Sequence, residues 1–348
     1  MKTRIIISAL AVLTVFSCSK SEMCPVVDTP EYISFSTYAS TATKAGSSLI
    51  QSGTQLPVDA IFGVYSYQSK EGSFEGVNEA PDFMNNVSVN YQPSQTKSAR
   101  EDCSYAPAKQ WPDEKSGKAL SFFAYYPKVE NSGISSKVSK GLGAFQFSVN
   151  EDASKQVDFL VSDVVADQTV SSNSGNVQFK FFHMLTRVRF SGCKSIKDDN
   201  TVVTIKSVTL KNVYSSGTLT PVYDPLSETT TFEWGNLQDR KDFALPVSES
   251  GVAMPSFPKS VEVSDNTSDG LLLMIPQSLD GVQIEVLYTT KTGSDAEVTN
   301  LITKNLSSMT KSDGVDSSWN INKTINMGLV IGLNPIEFSA SVSDWFEL

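Results

Sequence analysis

Apolar residues in this chain recur at every second position, and nowhere do they recur convincingly at the three-and-four spacing of a helix. Successive side chains of an extended strand point to opposite faces, so a period of two marks a strand with one face on a core. Ile33, Phe35, Thr37 and Ala39 form one such set. Phe145, Phe147 and Val149 alternate with Gln146 and Ser148, and Val177, Phe179 and Phe181 with Gln178 and Lys180. Val282, Ile284, Val286 and Tyr288 continue the pattern, and Ile336, Phe338, Ala340 and Val342 close it. Within residues 203–210 the apolar parity switches at Lys206-Ser207, which a β-bulge explains. Turn-forming clusters at 69–76, 131–143, 171–176, 264–270 and 312–318 separate the runs. Many short strands so punctuated predict an all-β chain of sandwiches or barrels.

The N-terminus addresses the chain for export. Lys2 and Arg4 precede a short apolar run over 5–16, too short for a permanent membrane span. Ser17 stands before Cys18, with Val15 in place of the usual leucine, and the polar tether Ser19-Lys20-Ser21-Glu22 follows. Residues 1–17 are thus expected to be a lipoprotein signal peptide, with Cys18 taking the lipid and 18–30 forming a tether. Two acyl chains make such anchoring stable where one does not. Ordinary cleavage near Ser17, with Cys18 incidental, is the alternative.

The remaining chain of about 330 residues has room for two domains of roughly 150. A strand ending in Gly192, followed by Lys197-Asp198-Asp199-Asn200, places a boundary near 191–200. The expected division is 31–190 and 191–348.

Removing Lys2 and Arg4 leaves 26 basic against 38 acidic residues, a net charge of −12. That surface excludes a nucleic-acid partner, which demands a basic footprint. Cys24, Cys103 and Cys193 are widely spaced with no CxxC, which supports neither a disulfide framework nor a metal site. Export permits one disulfide, and buried free thiols are the plainer reading.

Catalytic signals are poor. His183 is the sole histidine, set in the apolar run Phe181-Phe182-His183-Met184-Leu185, and reads as a core or interface residue. No nucleophile elbow, zinc-protease or P-loop pattern occurs, and no carboxylate pair can be singled out from sequence. The chain is expected to be no enzyme and to need no cofactor. Trp111, Trp234, Trp319, Trp345 and the pair Tyr125-Tyr126 would suit a sugar-stacking platform, but read more simply as core residues.

Ordered landmarks give the chain a resemblance to the fimbrillins, the subunits of type V pili in Gram-negative anaerobes. They include Ile33-Ser34-Phe35, Thr43-Lys44-Ala45, Ile61-Phe62-Gly63-Val64-Tyr65, Trp111-Pro112 and the run from Leu120 to Pro127. Asp158-Phe159-Leu160, the run from Val177 to Val188, the run from Leu273 to Gln277, Trp319 and the run from Ile336 to Trp345 complete them. The resemblance implies two transthyretin-like antiparallel β-sandwich domains in tandem and an outer membrane lipoprotein of the cell surface that serves adhesion. It further implies that a protease cuts after a basic residue, here Lys44, so that the first strand, about 31–39, departs. A strand of the next subunit then fills the groove by β-augmentation. The expected donor residues are Ile336, Phe338, Ala340 and Val342, which read equally well as a final core strand. Lys44 reads equally well as a solvated loop charge. Partners are then other pilus subunits, the outer membrane through Cys18, and surface glycans or proteins of host or bacteria. A glycan-binding lipoprotein that never polymerises, and a pilus tip or anchor subunit, are the alternatives.

Overall fold

The structure, a computed structural model, describes residues 31–39, 56–93, 102–264, 271–308, 317–332 and 337–345. Cys18, Cys24, Lys44 and Ile336, with the expected signal peptide and tether, lie outside the described residues. Among the described residues there are twenty strands and no α-helix, so the chain is all-β as its periodicity predicts.

In chain order the strands begin with β1 (Ser34–Ala39), β2 (Ala60–Lys70), β3 (Met84–Tyr91), β4 (Cys103–Ser104) and β5 (Lys118–Tyr126). Next come β6 (Ile134–Ser136), β7 (Phe145–Ser148), β8 (Leu160–Ser162), β9 (Val165–Gln168) and β10 (Asn176–His183). The second half starts with β11 (Thr186–Lys194), β12 (Thr201–Asp224), β13 (Thr229–Ala244), β14 (Val252–Ala253) and β15 (Val261–Glu262). It ends with β16 (Leu271–Met274), β17 (Gln283–Thr292), β18 (Val298–Asn305), β19 (Lys323–Ile331) and β20 (Glu337–Asp344).

Three sheets result. The first runs β1-β10-β8-β5-β2-β3-β4, with β9 on β5; it curls, so that β1 comes beside β4. The second runs β15-β11-β19-β20 with β16 on β11. The third runs β18-β17-β12-β7-β6, with β13 and β14 on β12. Sheet membership thus changes between His183 and Thr186, while β6 and β7 cross to the third sheet. Parallel pairing occurs in two corresponding places: β1 lies parallel to β10, and β11 parallel to β19.

Two apolar clusters hold the sheets. Ile33, Phe35, Phe62, Val64, Phe122, Ala124, Phe179 and Phe181 belong to the smaller, inside the curl of the first sheet. Tyr65, Tyr67, Phe123 and Tyr125 face the other way, into a larger core with β7, β12, β16, β17 and β19. Strands β2 and β5 are therefore buried on both faces. Their sequences read as near-continuous apolar runs rather than alternating ones for this reason. The bulge expected near Lys206-Ser207 is present as a shift of register against β17 between Ile205 and Ser207.

Candidate functional site

Two segments that the sequence analysis singled out occupy sheet edges: β1 and β20. β1 pairs along one side with β10, from Ser34 opposite Asn176 to Ala39 opposite Phe181. On its other side, among the described residues, pairing covers only its entrance. There Tyr32 bridges Gln110, Ile33 N donates to Lys109 O at 2.9 Å, and Trp111 N donates to Glu31 O at 3.1 Å. The Tyr105 hydroxyl donates to Ile33 O at 3.0 Å.

Packing on the inward face of β1 is dense. Phe35 is fully buried, with its ring 5.2 Å from that of Tyr105, 5.5 Å from Phe179 and 5.9 Å from Phe122. Ile33 and Thr37 are buried beside it. The Thr37 hydroxyl finds no hydrogen-bond partner among the described residues. On the opposite face Asn176 Nδ2 donates to Ser36 Oγ at 2.8 Å, and Ser34 Oγ donates to Gly175 O at 3.3 Å. Trp111 Nε1 donates to the same carbonyl at 3.2 Å. Gly175 has φ +77°, a backbone conformation that favours glycine, while a Cβ there would meet chiefly the movable carboxylate end of Glu31.

At the other terminus β20 runs antiparallel to β19, from Glu337 opposite Val330 to Asp344 opposite Lys323. Ala340 is buried, whereas Val342 is 42 % exposed, so the apolar alternation read from sequence does not bury every member of the set. A Cβ on Gly328 would run into Ser339 Oγ, so the absence of a side chain there leaves room for Ser339 on the paired strand.

Immediately after β20, Trp345 is buried and stacks on His183, with ring centroids 4.3 Å apart and planes 16° from parallel. The Arg187 guanidinium lies 5.7 Å from the Trp345 ring centre. His183 Nδ1 stands 2.9 and 3.0 Å from the two carboxylate oxygens of Asp158, while its Nε2 has no partner among the described residues. The Tyr126 hydroxyl is pushed up to about 12 by burial and by the charge of Asp158. The histidine is thus a core residue that anchors the chain's last described residue. Sequence reasoning read it as a core or interface residue and missed Asp158, Arg187 and Trp345 as its surroundings.

Trp111 and Trp319 are buried as well, and Trp234 is half-buried with Nε1 donating to Met184 O at 2.8 Å. These rings pack inside the fold, as the simpler reading of the tryptophans had it. Cys103 and Cys193 are free thiols. Burial, with the charge of Asp102, pushes Cys103 up to about 12, and burial also raises Cys193.

Comparison with known proteins agrees with this architecture. A family model described as fimbrillin-like matches residues 50–345, a stretch that begins after β1 and runs through Trp345. The fimbrium subunit Fim1C of Phocaeicola vulgatus is 28% identical over 205 residues, covering 54% of this chain and 50% of that protein. The match thus spans about half the length of this curated relative. The crystal structure of a fimbrial protein from Bacteroides vulgatus shares the fold, with a TM-score of 0.65 at 19% identity. It covers 90% of this chain and 99% of that one. With most of its length matched by the family model and its β-architecture shared with a fimbrial protein, this chain belongs to the fimbrillin-like family.

Proposed function

We propose that this protein is a structural subunit of a fimbrium that serves cell adhesion. In this reading it is exported as a lipoprotein and held at the outer membrane through Cys18. It is matured by a cut after Lys44 and joined to other subunits by exchange of its first strand. The two transthyretin-like domains at 31–190 and 191–348 belong to the same proposal. The corresponding parallel pairs β1/β10 and β11/β19 support such a tandem arrangement.

The observation that carries the proposal is the unequal hold on β1. Its inward side chains Ile33, Phe35 and Thr37 are buried, yet full-length pairing among the described residues comes from one side only. A strand so placed leaves behind a deep apolar groove and one unpaired ladder when it departs, which is the requirement for β-augmentation. The fimbrial names of the relatives point the same way.

Limited trypsin digestion of the folded, unlipidated chain, with mass spectrometry and sizing, tests the proposal. A cut after Lys44 with SDS-resistant ladders, both absent in Lys44→Ala, is the expected result. A cut product that stays monomeric would overturn the polymerising role.

A further inference from the structure

A cleft of about 480 Å³ opens between the β6–β7 ribbon, β13 and β16. Clefts that hold small ligands have volumes of about 300–1,000 Å³. Asn131 to Gly133, just before β6, make one wall, and the stretch from Ser148 to Asp152, which continues β7, makes another. These walls are tied together by the chain itself. Ser148 N donates to Gly133 O at 3.0 Å. The buried Gln156 accepts from Leu273 N at 2.7 Å through Oε1 and donates to Asn150 O at 3.0 Å through Nε2. A cleft held in this way is formed before any ligand arrives, which lowers the cost of binding.

Its lining has two parts. Phe147, Leu185 and Leu273, all buried, give an apolar floor. The exposed rim carries two ion pairs: Lys241 Nζ stands 2.5 Å from Glu151 Oε1, and Lys155 Nζ stands 2.7 Å from Asp152 Oδ2. Bonds from Lys155 and Ser154 hold the Asp152 carboxyl down at about 2, so that pair stays charged at neutral pH. Two ammonium groups and two carboxylates leave the rim without net charge. Each pair keeps spare protons on its ammonium and spare lone pairs on its carboxylate. Two neighbouring hydroxyls match such a pair, one donating to the carboxylate and the other accepting from the ammonium. An added carboxylate would instead face Glu151 and Asp152, and an added amine would face Lys155 and Lys241.

We propose that this cleft binds a neutral saccharide, with ring C–H groups on the apolar floor and neighbouring hydroxyls on the two ion pairs. The described lining contains none of the four tryptophans and neither Tyr125 nor Tyr126, so the aromatic platform considered from sequence is not this site. It also contains no residue of β1 or β20 and does not depend on strand exchange.

The probes are methyl β-galactoside, methyl α-mannoside, N-acetylglucosamine and lactose. Each is titrated into the full mature chain, unlipidated and uncut, and binding is read by saturation-transfer NMR. At least one of the four is expected to bind at millimolar concentration, with saturation strongest on its ring C–H protons. Glucuronic acid and glucosamine, each carrying one charge, should bind more weakly than that sugar. Lys155→Ala and Lys241→Ala should each weaken its binding about two- to ten-fold, the loss of one net hydrogen bond. Glu151→Gln, which keeps the shape of the rim, should weaken it as well. Lys118→Ala, an exposed site at the start of β5 outside the cleft, should leave binding unchanged. Lys44→Ala, which blocks assembly in the reading above, should also leave it unchanged, so the two proposals fail separately. The saccharide site is overturned if none of the four sugars binds, if a charged counterpart binds as tightly, or if both lysine variants bind like the native chain.

Discussion

Phe35 and Gly175 show how much of the β1 seat depends on single residues. Phe35 fills a fully buried position among three aromatic rings, and truncation leaves a cavity that the rigid strands around it cannot close. Phe35→Ala is expected to cost about 3–5 kcal/mol of stability, measured by chemical denaturation. Gly175→Ala acts through the backbone, forcing a Cβ-bearing residue into φ +77°. Its expected cost is upwards of about 1 kcal/mol. Wild-type stability in that variant would show that the entrance of β1 contributes nothing to the fold. The alternation of Ile33, Phe35 and Thr37 was legible because one face of β1 is buried. Neither the glycine's role nor the unpartnered Thr37 hydroxyl was, since both depend on neighbours more than 60 residues away in sequence (Trp111 and Gly175 among them).

At the scale of elements, legibility followed burial. β7, β10 and β17 bury one face each and alternate cleanly in sequence, and the β12 bulge declares itself as a change of parity. β13 is different: most of its sixteen residues are exposed or half-buried, so no apolar stripe marks it. The length of β12, which runs on to Asp224, was hidden for a related reason. Beyond Leu210 its partner is largely that exposed β13, joined by further shifts of register. β20 falls between these cases, with Ala340 inward and Val342 exposed at the sheet edge. Its hold depends heavily on Trp345, which stacks on His183 and lies near Arg187. Trp345→Ala is therefore expected to destabilise the protein by about 3–5 kcal/mol. It should also accelerate hydrogen exchange in β20 more than in β10 or β17, read by mass spectrometry. Uniform acceleration across all three strands would mean that the tryptophan supports the core as a whole and does not specifically hold β20.

The whole molecule is organised around strands that bury two faces, and its tyrosines report on that arrangement. Tyr65 and Tyr67 of β2 point into the larger core, where Tyr65 Oη lies 2.7 Å from Ser136 Oγ and Tyr67 donates to Gly141 O at 2.8 Å. Burial raises both hydroxyls, Tyr65 to about 12, and burial with four nearby carboxylates raises Tyr223 to about 12. In the unfolded chain these groups titrate near 10. Between pH 10 and 12 the folded state therefore binds more protons than the unfolded state, so stability falls as pH rises. The contribution is complete below pH 10 and disappears as pH climbs through 12. Absorbance titration should then show Tyr65, Tyr67 and Tyr223 ionising together above pH 10, in one cooperative step that coincides with loss of β-structure by circular dichroism. Tyr67→Phe keeps the ring and removes one of the raised hydroxyls, so its step should move to higher pH although the hydrogen bond to Gly141 is lost. Independent ionisation of Tyr65 and Tyr67 near pH 10 with the β-signal intact would contradict the two-sided burial of β2 on which this architecture depends.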